Sequence, residues 1–196
     1  MDFNLSKEEL LLQQMLQSFA ENEVKPIAGD VDEEERFPEE TVRKMAKLGM
    51  MGMYIPKEYG GQGASYLSYI MAVEELSKVC GTTGVILSAH TSLCVNPIYD
   101  FGTEAQKRKY LPRLCSGEWL GAFGLTEPGA GTDAGGVKTM AVLDERGENY
   151  ILNGSKIFIT NAGEAEIYLI IAVAALALCA ASCGNKKAAK EAEPAA

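Results

Sequence analysis

Apolar residues recur at helical spacing in the first part of the chain. Leu12, Leu16 and Phe19 repeat at the spacing of one helix face, with polar residues between them. Ser6-Lys-Glu-Glu9 precedes them and has the residue pattern of a capping box, in which a serine and a glutamate satisfy each other's backbone N–H groups. The pattern predicts a first helix that runs to about Glu23.

Proline and glycine bracket the next helix. Pro38 suits a helix start, because its missing N–H has no helical partner there, and Gly49 suits the turn after a helix end. The inward side chains predicted for this helix are Val42, Met45 and Leu48. The acidic stretch over residues 30–40 is predicted to be a solvated face or loop. A third helix is predicted to open at Ser65.

Two more helices complete the first 118 residues. One apolar helix is predicted over residues 83–93. Thr103-Glu-Ala-Gln106 forms another capping box, and the short helix that it begins is predicted to end before Pro112, because a proline inside a helix breaks the hydrogen-bond ladder. Residues 1–118 are therefore predicted to form an all-helical N-terminal domain.

The pattern changes to that of a sheet after Trp119. Short β-prone runs alternate with turn sequences, and an Asn-Gly pair is typical of a tight hairpin turn. The predicted strands lie at 138–143, 150–152 and 157–160, with turns at 144–147 and at Asn153-Gly154. The fold class is therefore α+β, a helical domain followed by the beginning of a β-barrel-like domain over residues 119–168.

Residues 167–182 form an uncharged, almost entirely apolar run. As a helix it would reach roughly 24 Å, short of the ~30 Å hydrocarbon core of a bilayer. We predict that residues 169–196 are foreign to the preceding domains. A strand over 167–173 that runs into an Ala-rich helix is the alternative, and membrane association through 167–182 is a further one.

Composition excludes several classes of function. The net charge of −9 argues against binding nucleic acid, which requires a basic surface. His90 is the single histidine, so no His-based metal site or triad is expected, and no metal is predicted. The five cysteines contain no CxxC pair, and Cys80, Cys94 and Cys115 are predicted to be buried reduced thiols. The chain starts directly into a helix without a signal peptide pattern, so a cytoplasmic location is expected.

A glycine-rich loop, Gly124-Leu-Thr-Glu-Pro-Gly-Ala-Gly-Thr-Asp133, carries the main candidate chemistry. Its glycines and proline allow the backbone to lie close to a ligand, and its threonines add hydroxyl groups. No Gly-Lys-Ser/Thr follows, which excludes a nucleotide P-loop. On its own the loop is equally consistent with a tight surface turn.

Three other segments decide between these interpretations. They are Tyr54-Ile-Pro-Lys-Glu-Tyr-Gly-Gly-Gln-Gly63, Phe101-Gly-Thr-Glu-Ala-Gln-Lys107 and Leu152-Asn-Gly-Ser-Lys-Ile-Phe-Ile-Thr-Asn-Ala-Gly163. Together with the glycine-rich loop, in this order and at these separations, they resemble the acyl-CoA dehydrogenase family. The resemblance is greatest to the short-chain, butyryl-CoA type from bacteria and extends over residues 1–168.

The resemblance implies a flavoprotein of fatty acid metabolism that binds FAD between a helical and a β domain. Such enzymes oxidise an acyl-CoA to the 2-enoyl-CoA: a glutamate removes the α-proton and a hydride passes to flavin N5. Carried over by position, the cofactor-binding residues are Phe123, Leu125, Thr126, Gly131, Thr132, Phe158, Ile159 and Thr160.

Individual roles follow from the same resemblance. Thr126 would bond the polar edge of the flavin ring, and Thr132 would also line the approach of the acyl-CoA substrate. Phe158 would cover the flavin, where the family often has tryptophan, and Thr160 would bond near N5. A phenylalanine offers less stacking area than a tryptophan but keeps an aromatic face.

No residue of this sequence is assigned as the catalytic base. The resemblance places the glutamate base in a C-terminal helical domain beyond these residues, so the isolated chain is expected to be inactive. Glu127 is predicted to be a capping or ion-pair group, and His90 is predicted to have a structural role. Electron transfer flavoprotein is the implied partner, and the intact family forms homo-oligomers. The alternatives are a non-catalytic flavin or acyl-CoA binding module and a membrane-tethered fusion fragment.

Overall fold

The computed structural model describes residues 4–175. Internal contacts divide the chain into two compact units. Among the described residues, the helical unit comprises 4–123 and Thr160–Leu169, and the sheet unit comprises Gly124–Ile159 and 170–175. The architecture confirms the predicted α+β class, a helical N-terminal domain followed by the beginning of a sheet domain.

The helical unit contains seven α-helices among its described residues. They are α1 (Lys7–Phe19), α2 (Lys25–Glu33), α3 (Glu39–Lys47), α4 (Tyr66–Val79), α5 (Gly81–Ser88), α6 (Asn96–Phe101) and α7 (Glu104–Ser116). Short 3-10 turns lie at Met50–Gly52 and Lys57–Tyr59. The capping boxes at Ser6 and Thr103 are both formed, and Ser65 caps α4, which confirms three predicted helix starts.

The prediction that the first helix ends near Glu23 is wrong. Ala20–Val24 continues the helix with π-type hydrogen bonding, and α2 extends it to Glu33, into the acidic stretch predicted to be a solvated face or loop. A π segment shifts the hydrogen-bond ladder, so that Pro26 falls in the first turn of α2, where its missing N–H costs nothing. The helix predicted over 83–93 is extended in the same way.

The helix predicted over residues 83–93 runs from α5 through a π segment, Ala89–Val95, into α6. Pro97 lies in the first turn of α6, as Pro26 does in α2. Each proline therefore lies where the hydrogen-bonding pattern changes from π to α, and neither proline ends the helix.

The predicted end of a helix before Pro112 is also wrong, since α7 continues to Ser116. Leu114 and Cys115, which follow the proline, are 0% and 1% exposed. Burying these side chains offsets the hydrogen bond that the proline removes. Leu48, predicted to face inward, is 49% exposed because it is the residue after the last turn of α3.

The main core of the helical unit lies between α1, α3, α4 and α5 and is rich in methionine. Its fully buried side chains include Leu16, Met45, Met50, Met51, Tyr69, Leu76 and Leu87. Flexible methionine side chains fill irregular gaps where short helices and 3-10 turns meet. A second cluster contains Cys94 and Cys115, which together with Cys80 are buried free thiols, as predicted.

Strand β1 (Gly121–Gly124) is held to the helices at Gly121. The Gly121 N–H donates to Nδ1 of His90 at 2.9 Å, and its carbonyl accepts from Nδ2 of Asn161 at 3.0 Å. A Cβ at Gly121 would lie 2.6 Å from the Cys94 sulfur, so only glycine fits. His90 is fully buried, and this contact confirms its structural role.

The sheet unit is built around β2 (Met140–Leu143) and β3 (Tyr150–Asn153), which pair antiparallel with Leu143 opposite Tyr150. The predicted turn at 144–147 closes this hairpin, because the Gly147 N–H donates to the Asp144 carbonyl. Strand β5 (Val173–Ala175) pairs parallel with β2. Strand β4 (Ile167–Ile170) pairs with β1, and most residues of these two strands belong to the helical unit.

Residues 157–160 do not form the predicted strand, and Asn153-Gly154 does not lead into a hairpin. A 3-10 turn at Ala134–Gly136 follows the glycine-rich loop. Of the apolar run 167–182, the described part forms β4 and β5, and its remainder lies outside the described residues, as does most of the segment predicted to be foreign. Among residues 4–175, no helix is long and apolar enough to cross a membrane.

Two helical glycines provide a stability test of the α4–α5 contact. A Cβ at Gly84 would lie 3.1 Å from the Cβ of Ser77, whereas a Cβ at Gly29 would meet no atom of residues 4–175 within 4 Å. Alanine stabilises a helix interior by about 0.5–1 kcal/mol relative to glycine. We expect Gly29→Ala to raise the free energy of unfolding by that amount and Gly84→Ala to lower it by about 1–3 kcal/mol. Urea unfolding measures both, and equal stabilisation would contradict the close packing.

His90 provides a test of pH dependence. Burial lowers the pKa of His90 to about 4 from 6.5, and the nearby carbonyls of Leu114 and Met51 only partly oppose the shift. As the pH falls from 6.5 to about 4, the unfolded chain therefore binds a proton that the folded chain does not. Stability should decline across this window by up to about 1.4 kcal/mol per pH unit. Urea unfolding of His90→Gln should show a flatter decline, and an unchanged slope would assign the pH dependence to other groups.

Candidate functional site

The glycine-rich loop begins with a tight turn. Glu127 and Ala130 exchange backbone hydrogen bonds of 3.0 and 3.1 Å, so the chain reverses across Pro128 and Gly129. A Cβ placed at Gly129 or Gly131 would meet no atom of the described part of the chain within 4 Å. These glycines therefore present bare, open backbone, as expected for a loop that a ligand approaches closely.

The carboxylate of Glu127 is buried inside this loop and accepts four hydrogen bonds. Its Oε1 accepts from the Thr139 N–H at 2.9 Å, the Thr139 hydroxyl at 2.6 Å and Nζ of Lys156 at 2.7 Å. Its Oε2 accepts from the Lys138 N–H at 2.7 Å. Lys156 and then Thr139 are the main causes that lower the pKa of Glu127 to about 2. The predicted ion-pair role of Glu127 is confirmed.

Lys156 brings the segment Leu152–Gly163 to the glycine-rich loop. The Lys156 side chain is 10% exposed, and its ammonium group also donates to the Leu125 carbonyl at 2.9 Å. The next residue, Ile157, donates its N–H to the Thr126 carbonyl at 2.9 Å. Two segments that are distant in sequence are thereby joined.

Phe158 has an unusual conformation. Its φ is +57°, in the left-handed region that a bulky residue rarely adopts, and its side chain is 89% exposed. A large apolar side chain that is both strained and exposed is typical of a functional site. The sheet unit thus presents an aromatic ring next to the joined segments.

Two threonine hydroxyls predicted to bind a ligand have no partner within residues 4–175. Among the described residues, Thr126 and Thr132 make no side-chain hydrogen bond, whereas Thr139 is bonded to Glu127. Thr126 is half-buried and Thr132 is exposed. Both hydroxyls are therefore available to donate or accept.

The predicted site residues divide between the two units. Six lie in the sheet unit: Leu125, Thr126, Gly131, Thr132, Phe158 and Ile159. Phe123 and Thr160 are half-buried residues of the helical unit. Thr160 lines an open cleft of about 410 Å³ in that unit, together with Arg36, Phe37, Gly81, Thr82, Val85, Ile86 and Asn161. The roles of all eight residues in cofactor binding remain predictions.

The sequence analysis missed two residues that organise this site. Lys156 lies in the segment Leu152–Gly163 without a predicted role, and Thr139 lies at the start of a predicted strand. A lysine directly before an apolar run, with a carboxylate in the glycine-rich loop, is the available signal for the first. Among the described residues, no group of His, Cys, Asp or Glu side chains could hold a metal ion.

Sequence profiles of known families match almost the whole chain. The profile of the acyl-CoA dehydrogenase N-terminal domain matches residues 6–118, and that of the middle domain matches residues 122–186. A short-chain specific acyl-CoA dehydrogenase of Clostridium acetobutylicum is 63% identical over 173 residues, which are 88% of this chain and 45% of the relative.

Solved structures agree with the sequence match. Butyryl-CoA dehydrogenase from Megasphaera elsdenii is 47% identical, with a TM-score of 0.83 over 88% of this chain and 45% of its own. A glutaryl-CoA dehydrogenase from Mycobacterium smegmatis in complex with FADH2 is 34% identical, with a TM-score of 0.81 over 87% of this chain and 43% of its own. The chain spans less than half the length of these relatives. It belongs to the acyl-CoA dehydrogenase family and carries that family's N-terminal and middle domain sequences.

Proposed function

We propose that these residues form the N-terminal part and the first flavin-binding segments of an FAD-dependent short-chain acyl-CoA dehydrogenase. The observation that carries the proposal is the hydrogen bond between the Ile157 N–H and the Thr126 carbonyl. It brings together the two segments that the family resemblance assigns to FAD. The identity of 63% to a short-chain specific relative supports the substrate class.

The residues of the sheet unit fit a flavin. The hydroxyl groups of Thr126 and Thr132 have no partner among the described residues, the backbone at Gly131 is open, and the Phe158 ring is exposed. A flavin ring offers polar edges that accept or donate hydrogen bonds and a flat face on which an aromatic ring can stack. A relative of similar fold was solved with FADH2.

Each residue has one proposed task. Thr126 bonds the polar edge of the ring, Phe158 covers one face, and Thr160 bonds near N5. Thr132 lines the approach of the acyl-CoA, and Phe123, Leu125, Gly131 and Ile159 complete the contacts with the cofactor. When bound, FAD supplies the acceptor for the hydride that leaves the β-carbon of the acyl chain.

Glu127 is not proposed as the base that removes the α-proton. Its carboxylate accepts four hydrogen bonds within the protein, and its pKa is lowered to about 2. A general base requires a pKa closer to the working pH and access to the substrate. The contribution of this chain is therefore cofactor binding and orientation, and we expect no turnover from these residues alone.

Electron transfer flavoprotein is the proposed electron acceptor of the full-length enzyme. Assembly into homo-oligomers in the cytoplasm is also proposed for it, on the family resemblance.

The second candidate function is a flavin or acyl-CoA binding module without catalysis. The full engagement of Glu127 by its four donors favours this candidate for the isolated chain.

Titration with FAD tests the proposal. We expect the purified chain to quench flavin fluorescence in a saturable manner and Thr126→Val to weaken binding by roughly two- to tenfold, the effect of one neutral hydrogen bond. Thr126→Ser retains the hydroxyl and serves as the matched control. No saturable quenching would overturn the proposal, and oxidation of butyryl-CoA with an artificial acceptor would place a base within this chain.

Phe158 provides a test of strain at the site. Left-handed backbone costs a non-glycine residue roughly 1–2 kcal/mol. Since the Phe158 ring is 89% exposed, its removal loses little burial. After allowing for the greater chain entropy of glycine, we expect Phe158→Gly to be about 0.5–1 kcal/mol more stable than Phe158→Ala. Both variants should bind FAD more weakly than the unaltered chain. Urea unfolding that ranks the alanine variant as the more stable would contradict the left-handed conformation.

A further inference from the structure

We propose that Lys156 and Glu127 form a positioning pair that fixes the two flavin-binding segments against each other. The inference rests on the proposed function, because it assigns the pair the task of presenting Thr126 and Phe158 to the cofactor. Neither residue touches the cofactor in this proposal. The pair acts through the backbone of its neighbours.

The contacts of Lys156 and Ile157 fall on three consecutive residues of the loop. The Lys156 ammonium donates to the Leu125 carbonyl and to the Glu127 carboxylate, at 2.9 and 2.7 Å. The Ile157 N–H donates to the carbonyl of Thr126, between them, at 2.9 Å. The loop is therefore bonded at the Thr126 carbonyl and at both neighbouring residues, Leu125 and Glu127. The Thr126 hydroxyl remains without a partner among the described residues.

This ion pair is the one with both side chains most deeply buried among those described. The Lys156 and Glu127 side chains are 10% and 7% exposed, whereas those of Lys25 and Glu21, an ion pair of similar length, are 59% and 54% exposed. Exposed pairs are screened by water and contribute little to structure. Removal of one member of a buried pair leaves an uncompensated charge, which the surrounding backbone must move to accommodate.

Glu127 also anchors the pair to the sheet. Its carboxylate accepts the N–H groups of Lys138 and Thr139, which directly precede β2. Lys156 is thereby connected through one carboxylate to the start of a hydrogen-bonded strand. The pair therefore connects the glycine-rich loop to the β2–β3 hairpin of the sheet unit.

The conformation of Phe158 requires such an anchor. A strained backbone persists only where the surrounding contacts hold it in place. Phe158 is exposed and contributes little packing of its own, but the two residues before it, Lys156 and Ile157, are bonded to the loop. Release of the pair should let the segment relax and withdraw the ring from its presented position.

The test compares amide exchange and FAD binding in variants of the full chain. Lys156→Met should speed hydrogen exchange of the Ile157 amide by roughly tenfold or more, the scale of coupling between residues in one buried network. The same variant should weaken FAD binding by a similar factor, while the helical circular dichroism is retained. Lys156→Arg keeps the charge and should preserve most of both properties. Lys25→Met, in the exposed pair, should change neither.

Each outcome decides the proposal. Unchanged Ile157 exchange in a folded Lys156→Met chain overturns it. If that variant does not fold, Glu127→Gln combined with Lys156→Met leaves no unbalanced charge, and it should show the same faster exchange if the proposal holds. Unaltered exchange in the double variant overturns the proposal. If exchange responds as expected in a chain that binds no FAD, the proposed function fails while the role of the pair in joining the segments stands.

Discussion

The geometry of the candidate site depends on one buried carboxylate. Glu127 accepts hydrogen bonds from the backbone at 138–139, from a threonine hydroxyl and from the ammonium of Lys156. A buried charge needs this many donors, since each unsatisfied lone pair would carry the cost of lost hydration. Because the donors come from distant parts of the sequence, satisfying the carboxylate also determines how those segments meet. The glycine-rich loop contributes freedom of backbone conformation, and Glu127 removes that freedom at the point where it joins the sheet.

The helical unit uses neutral groups for a comparable purpose. Gly121 is held by the imidazole of His90 at its N–H and by the side-chain amide of Asn161 at its carbonyl. Asn161 itself has a φ of +69°, and its Oδ1 has no partner within the described residues. In both units, a side chain rather than a regular sheet ladder fixes the backbone beside the predicted cofactor residues. Such local departures from regular structure are typical of functional sites.

The sequence predicts the features that depend on local chemistry. The capping boxes at Ser6 and Thr103, the turn after β2 and the ion-pair role of Glu127 follow from residues close in sequence or from simple electrostatics. Helix continuation past Glu23 and through Pro112 was missed, because π segments and the burial of Leu114 and Cys115 outweigh a local breaker. The strand predicted at 157–160 is also wrong. Its β-branched residues favour extension, but Phe158 has a φ of +57°, which interrupts an extended backbone. The ion pair of Lys156 with Glu127 beside it is a contact that periodicity does not detect.

The central claim is that the two motif segments form one surface within this chain. The most direct measurement is the scalar coupling across the hydrogen bond from the Ile157 nitrogen to the Thr126 carbonyl carbon, observed by NMR on isotopically labelled protein. This account predicts a resolved coupling between those two atoms, because the structure places the nitrogen 2.9 Å from the carbonyl oxygen. Absence of that coupling in a folded chain, with couplings of similar bonds in the β2–β3 hairpin observed, would contradict it.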